Sequence, residues 1–322
     1  MNVMPEPGDA APALLAEFLG QVPDGLDDGD ALDTLRRLGL AADGAAPPCW
    51  AALAHGEWCA LLRGLAARSP RLASLLLALR WHTPHAGAEP VAPGRQGPRA
   101  ATRLLLARAP AEAPAWRFAA HGWIGVAPAA ALTVEAHRGG GWLVRVAGDA
   151  VDWRHPQAPD EALARWQEVL ALAGGIAWTL LDRTAGHAAE RPLFGRWLAD
   201  FPAVQLRLVL LQLRVLVVEE SAALLAGTPS AALRAQWRRE LDAVRIDAQQ
   251  LCGGTGYMRE TAFADTLLWH EWADTAARQC LCPEQPGPAG GVMHEALRER
   301  LRRRLMQACP TEANWAAQWL PA

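Results

Sequence analysis

The stretch QQLCGGTGYMRET, Gln249 to Thr261, sets three glycines and one aromatic directly after a helical segment. Glycines let a backbone approach a ligand and line up its N–H groups, so the stretch reads first as a phosphate turn. The usual phosphate turn follows a strand, and no strand precedes this one. A second cluster, ERPLFGRWLADFPAVQ from Glu190 to Gln205, puts Arg191 close to Phe194 and Gly195. Taken singly, each has a plainer reading: a glycine turn between helices is a C-cap, and an arginine there is a solvated helix end.

Other chemistry is thinly provided for. All 31 basic residues are arginine, so lysine is excluded as nucleophile, Schiff base or P-loop cation. His270 and Glu271 open HEWAD, which lacks the second histidine of a zinc-protease helix, and Cys280 with Cys282 lacks partners at ligand spacing, so no metal site is expected. Neither G-x-S-x-G nor a Walker A motif occurs. The basic run RERLRRRL could grip a phosphate, including a CoA nucleotide, or be a solvated helix face.

Composition sets the frame for these residues. The chain has 322 residues, 51% of them hydrophobic, with formal net charge -3, so neither nucleic acid nor a membrane surface is an expected partner. Six cysteines without a C-x-x-C pair and an acidic, apolar-poor N-terminus unlike a signal peptide point to a cytoplasmic setting. The apolar run Leu206 to Val218 is shorter than the ~20 residues a membrane span needs and carries Arg207 and Arg214, so it reads as a helix buried in a bundle.

The elements that must position these residues follow from periodicity. Apolar residues recur at three and four residue spacing from about Ala13 to Thr83. A linker rich in proline and glycine, HAGAEPVAPGRQGPRAA, follows. The runs TRLLLA, AWRFAAHGWIGV, ALTVEAH and WLVRVAG alternate as strands of a small sheet or barrel ending near Asp152. Long helical patterns then occupy 161–189, 203–226, 230–251 and 263–282, and short connections between four long helices are what an antiparallel bundle requires. The expected domains are a helical domain and linker over 1–95, a middle β domain over 96–157, a four-helix bundle over 158–285 and a helical extension over 286–322.

This order of helices, small β unit and bundle, together with the two glycine-bearing stretches, resembles the acyl-CoA dehydrogenase family, best from Glu161 to about Trp269. The resemblance implies a mainly α fold with a small central β domain, and FAD as cofactor. It also implies that Arg191, Phe194 and Gly195, with Gln250, Gly253, Gly254 and Gly256, meet the adenine and pyrophosphate end of FAD. Arginine suits phosphate oxygens through its planar fork. HGWIGVAPAA is similar to the family's Trp-Ile-Thr strand, which would put Trp123 against the flavin ring; the alternative is one more core tryptophan among 15. The family's threonine is Gly125 here.

The departures from the family are as informative. Family enzymes remove an α proton with a glutamate at one of two positions, and ungapped counting places these at Ala277 and Arg165. Candidate relocated bases are Glu161, Glu168 and Glu271, with Asp274 nearby. In the family, the set retained here reaches across an interface to a neighbouring subunit's FAD, whereas the glutamate and the loop upstream of the strand matching Trp123, shortened here to ARAPAEAPAW, serve the subunit's own site. The expected role is therefore the FAD-completing subunit of a heteromeric α,β-dehydrogenase of an acyl thioester, in fatty acid or steroid side-chain metabolism. Two alternatives stand: a homo-oligomeric acyl-CoA or acyl-carrier dehydrogenase with a relocated base, and a flavin-free binding or assembly module.

Overall fold

The computed structural model describes residues 19–20, 22, 31–41, 50, 53–85, 98, 101–138, 141–227, 230–258, 261–280 and 290–308. The expected linker, Cys49, Cys282 and Cys309 fall wholly or mainly outside them. The chain is mainly helical with a small sheet region, and its contacts divide it into two compact units. Unit one comprises 1–179 and 265–282, and unit two comprises 180–264 and 283–322. No helix among the described residues is long and apolar enough to cross a membrane.

Unit one opens with helices α1 (Ala31–Arg37), α2 (His55–Arg68) and α3 (Pro70–Trp81). Ser69 ends one helix and caps the next, its hydroxyl accepting from Leu72 N–H with Pro70 in the first turn. Seven strands follow: β1 (Thr83–His85), β2 (Thr102–Leu106), β3 (Ala115–Ala120), β4 (Trp123–Pro128), β5 (Thr133–Arg138), β6 (Gly141–Val146) and β7 (Asp152–Pro156). They form a four-stranded sheet ordered β1-β3-β4-β7 and a three-stranded sheet ordered β2-β6-β5, antiparallel throughout.

Side chains from both sheets share one core. Leu104, Leu106, Val144 and Val146 of the smaller sheet pack with Trp116, Phe118 and Trp153 of the larger. The long run expected as one strand, AWRFAAHGWIGV, is a hairpin. His121 and Gly122 both take positive φ, 53° and 74°, as the two central residues of a tight hairpin turn must. Helix α4 (Pro159–Glu190) then leaves the sheet, and its length is roughly 48 Å at 1.5 Å per residue. Thr179 of α4 returns to α2, donating to the carbonyl of Ala66 at 2.8 Å.

Unit two takes the last turns of α4, a minimal hairpin of β8 (Pro192–Leu193) and β9 (Arg196–Trp197), and helices α5 (Pro202–Gly227) and α6 (Ala231–Cys252). A short turn folds α6 back on α5. Arg214 binds across the pair, Nη1 to Glu240 at 2.9 Å and Nε to Asp247 at 2.9 Å. A 3-10 turn, Gly253–Tyr257, leads to α7 (Ala262–Gln279), most of which belongs to unit one. Helix α8 (Gly290–Ala308) docks on α5 through its arginines. Arg300 Nε meets Glu220 at 2.7 Å, and Arg304 meets Glu219 at 2.6 Å and Glu220 at 2.7 Å. Two cations of the basic run are thus spent on the fold.

One expectation needs correcting. The run Leu206 to Val218 is not buried throughout: Leu206, Val209 and Leu210 stand exposed on one stripe of α5, while Leu211, Val215 and Val218 face inward. The helix is apolar on more faces than the described residues cover.

Candidate functional site

The two glycine-bearing stretches come together in unit two. Arg191 lies at the end of α4, just before the β8–β9 hairpin, and its Nη1 reaches the carbonyl of Cys252 at 3.5 Å. A methyl group on Gly253 would lie 3.2 Å from the same nitrogen, so the guanidinium sits directly against the turn. Gly253 has φ 58°, a conformation that side chains other than glycine's resist. Its N–H closes helix α6 on the carbonyl of Gln250, whose own side chain is exposed.

The rest of the turn is braced from behind. Gln249 Nε2 donates to the carbonyl of Gly256 at 3.3 Å, and Arg245 supports Gln249 at 3.4 Å. Gly256 is buried, and a Cβ there would come within 2.6 Å of the Gln249 carbonyl. Gly254, in contrast, has open space where a Cβ would point. The turn therefore has a packed back and an open front.

Phe194 tips the β8–β9 hairpin with φ 51°, beside Gly195 at 78°. A bulky residue with positive φ is uncommon, and this one is 90% exposed. Trp197, Tyr257 and Met258 are also exposed. A cation, exposed rings and a glycine turn with open backbone fit the edge of a nucleotide diphosphate: Arg191 for phosphate oxygens, Phe194 for a ring face, Gly253 and Gly254 for close approach.

Trp123 lies in unit one at the start of β4, partly buried and packed against the shared sheet core. Two residues on, Gly125 is buried. A Cβ at Gly125 would meet Val151 Cγ1 at 2.6 Å and the Trp153 ring at 2.9 Å, and the β4–β7 register shifts at this point. The room beside Gly125 is thus filled by Val151 and Trp153.

The candidate bases are dispersed. Glu161 is exposed in the first turn of α4, and Glu271 is exposed on α7. Asp274 pairs with Arg278 at 2.6 Å. Ala277 is buried on α7. Glu168 is 2% exposed, and every oxygen is engaged. Oε1 accepts from Trp58 Nε1 at 2.8 Å and pairs with Arg80 Nε at 2.9 Å; Oε2 accepts from Trp81 Nε1 at 2.5 Å.

Around Glu168 lies a cluster that periodicity did not reveal. Arg80 stacks on Trp50 at 5.1 Å and Trp58 at 4.8 Å, and Arg165 stacks on Trp81 at 5.1 Å. Burial and then Arg165 lower His82 to about 3, while its Nδ1 lies 3.1 Å from the Leu105 carbonyl. Burial and Glu168 push the Cys59 thiol up to about 12. The one available signal was a glutamate inside an apolar helix face. Among the described residues, no group of three His, Cys, Asp or Glu side chains is placed to hold a metal ion.

Residues 164–277 match the family model described as acyl-CoA dehydrogenase, C-terminal domain. No curated protein matches the chain. Among solved structures, the chain is similar to the ChsE4-ChsE5 complex from Mycobacterium tuberculosis, with 15% identity, 93% of this chain and 98% of that chain covered, and a TM-score of 0.54. It is similar also to butyryl-CoA dehydrogenase from Megasphaera elsdenii, with 14% identity, 85% and 95% covered, and a TM-score of 0.51. At these identities the likeness is one of fold.

Proposed function

We propose that this chain, which carries the acyl-CoA dehydrogenase fold and that family's C-terminal domain, is the FAD-completing, non-catalytic subunit of a heteromeric dehydrogenase of an acyl thioester. The observation that carries this reading is the seating of Arg191 against the Gly253 turn, with Nη1 3.5 Å from the Cys252 carbonyl. Two stretches some sixty residues apart, |i−j| 61, are held as one clamp whose front is open.

The clamp residues fit the nucleotide half of FAD. Arg191 would donate to its diphosphate, Gly253 and Gly254 would admit its backbone contacts, and Phe194 and Gln250 would meet the adenosine end. When bound, FAD would supply the hydride acceptor for the β carbon. Neither family position for the base of the complementary proton transfer carries a carboxylate here. The two family base positions hold Arg165 and Ala277, and Glu168 spends its carboxylate on two indoles and an arginine. A general base must have a free lone pair within reach of the substrate proton.

A partner subunit is supported by the exposed apolar side chains of unit two. Phe194, Trp197, Leu206, Val209, Leu210, Ile246, Tyr257 and Met258 are large, apolar or aromatic, and exposed, and all belong to that unit. Leu206, Val209 and Leu210 share one stripe of α5, the kind of apolar surface a partner covers. The ChsE4-ChsE5 structure is itself a complex of two proteins.

The test is to purify the chain alone, and again after co-expression with a dehydrogenase encoded beside it, and to record visible spectra and native masses. Flavin absorbance confined to the co-purified complex is expected. Flavin held by the chain alone, bleached by an acyl-CoA, would instead favour the homo-oligomeric enzyme, with Glu161 or Glu271 as its base. A colourless protein in both preparations would leave the assembly module.

A further inference from the structure

The charges gathered around Glu168, where α2, α3 and α4 of unit one meet, do not balance. Two guanidiniums lie beside it, Arg80 and Arg165. The one buried carboxylate, Glu168, is committed to Arg80 and to the indoles of Trp58 and Trp81. His82, lowered to about 3, and Cys59, raised to about 12, are neutral near physiological pH. One positive charge is left over.

That charge is on Arg165. Its Nη1 is buried and has no hydrogen-bond partner among the described residues. Glu161, one turn earlier on α4, is exposed to solvent, near enough to be felt electrostatically but not in contact. The stacking on Trp81 at 5.1 Å is a weak substitute for the hydration a guanidinium loses on burial. Burial accordingly pushes its pKa down, against the opposing influence of Cys280, Glu168 and Glu161.

We infer that Arg165 anchors a site for a small organic carboxylate, bounded by the Trp81 ring and Cys280, at the position where related enzymes would carry a base. The guanidinium edge presents parallel N–H donors that match a planar carboxylate. A monoanion cancels the single leftover charge. A phosphate dianion would exceed it and place net negative charge beside Glu168. This inference uses unit-one residues alone and stands whether or not the clamp in unit two holds FAD.

The experiment is a titration of the full chain with sodium acetate at constant ionic strength, balanced with sodium chloride, and a parallel titration with sodium phosphate. Melting temperature and saturation-transfer NMR of the acetate methyl are followed. A saturable rise in melting temperature with acetate is expected, beyond that with chloride and greater than that with phosphate. The response should be lost in Arg165→Gln and weakened in Arg165→Lys. Equal acetate and chloride curves in the wild type would overturn the site, and so would an undiminished response in Arg165→Gln. A phosphate response matching that of acetate would overturn the ligand class. Should Arg165→Gln fail to fold, the wild-type and Arg165→Lys titrations decide alone. An acid side chain is ruled in or out by Glu161→Gln: strong coupling between it and Arg165→Lys in ligand-free unfolding would make Glu161 the ion-pair partner and overturn the proposal.

Discussion

Glu168 shows how one buried carboxylate can be wholly structural. Its three donors come from α2 and α3, so it ties α4 to both. Removing it would orphan two indole N–H groups and leave the partly buried Arg80 without its counter-ion. Glu168→Ala should therefore cost about 3–5 kcal/mol, the range for breaking a buried ion pair from one side. Urea unfolding measures it, and a loss within about 0.5 kcal/mol, typical of a surface change, would contradict the role. His82 adds a pH dependence. Its folded pKa of about 3 lies below the ordinary histidine value of about 6.5, so the unfolded chain takes up the proton first. Its contribution is complete above about 6.5 and is lost as pH falls toward 3, by up to about 1.4 kcal/mol per unit. His82→Gln should flatten that slope in stability measurements across pH 4 to 7, on the order of one proton's worth; an unchanged slope would assign it elsewhere. Sequence alone could list Glu168 as a carboxylate on a helix face. It could not show the tryptophans, because they lie 110 and 87 residues away.

The elements divide into those with a strong local signal and those without. The β3–β4 hairpin was within reach, because His-Gly supplies the two positive-φ residues between alternating runs, yet it read as a single strand since both flanks are apolar. Strands β1 and β7 were missed. The first has three residues, and the second carries Arg154 and His155 in a segment whose pairing with β4 is non-local. Helix α5 was found with bounds within a residue, but its burial was misread: hydropathy records that a face seeks cover without saying whether the same chain provides it. The stripe of Leu206, Val209 and Leu210 makes a specific prediction at this scale. The double change Leu206→Glu with Leu210→Glu should alter unfolding of the isolated chain by no more than about 0.5 kcal/mol per site, as exposed positions do. It should nevertheless lower the native mass of the assembled protein in light scattering. An unchanged mass, or a large loss in the isolated chain, would mean that the stripe is not an interface.

At the scale of the whole molecule, the order of helices, small sheets and long helices was legible because each change of hydrophobic period is local. The two glycine-bearing stretches stood out for another reason: a glycine turn and an arginine before a hairpin are distinctive residue types, and the fold seats Arg191 against Gly253. What escaped was the interior of unit one, where Trp153 fills the room beside Gly125 and, separately, two tryptophans and Arg80 hold the Glu168 carboxylate. On the proposed reading Arg191 and the glycine turn would serve a cofactor edge, while Trp153 and Val151 take up the room beside Gly125. The most direct test is Arg191→Ala in the co-purified complex, with flavin absorbance read against protein and native mass recorded on the same sample. Losing a charge-assisted bond to phosphate costs about 1.5–3 kcal/mol, or roughly ten- to a hundredfold in affinity. Flavin should fall by that measure while the native mass stays unchanged. Wild-type flavin content in an intact Arg191→Ala complex would contradict the claim that this chain closes the cofactor site.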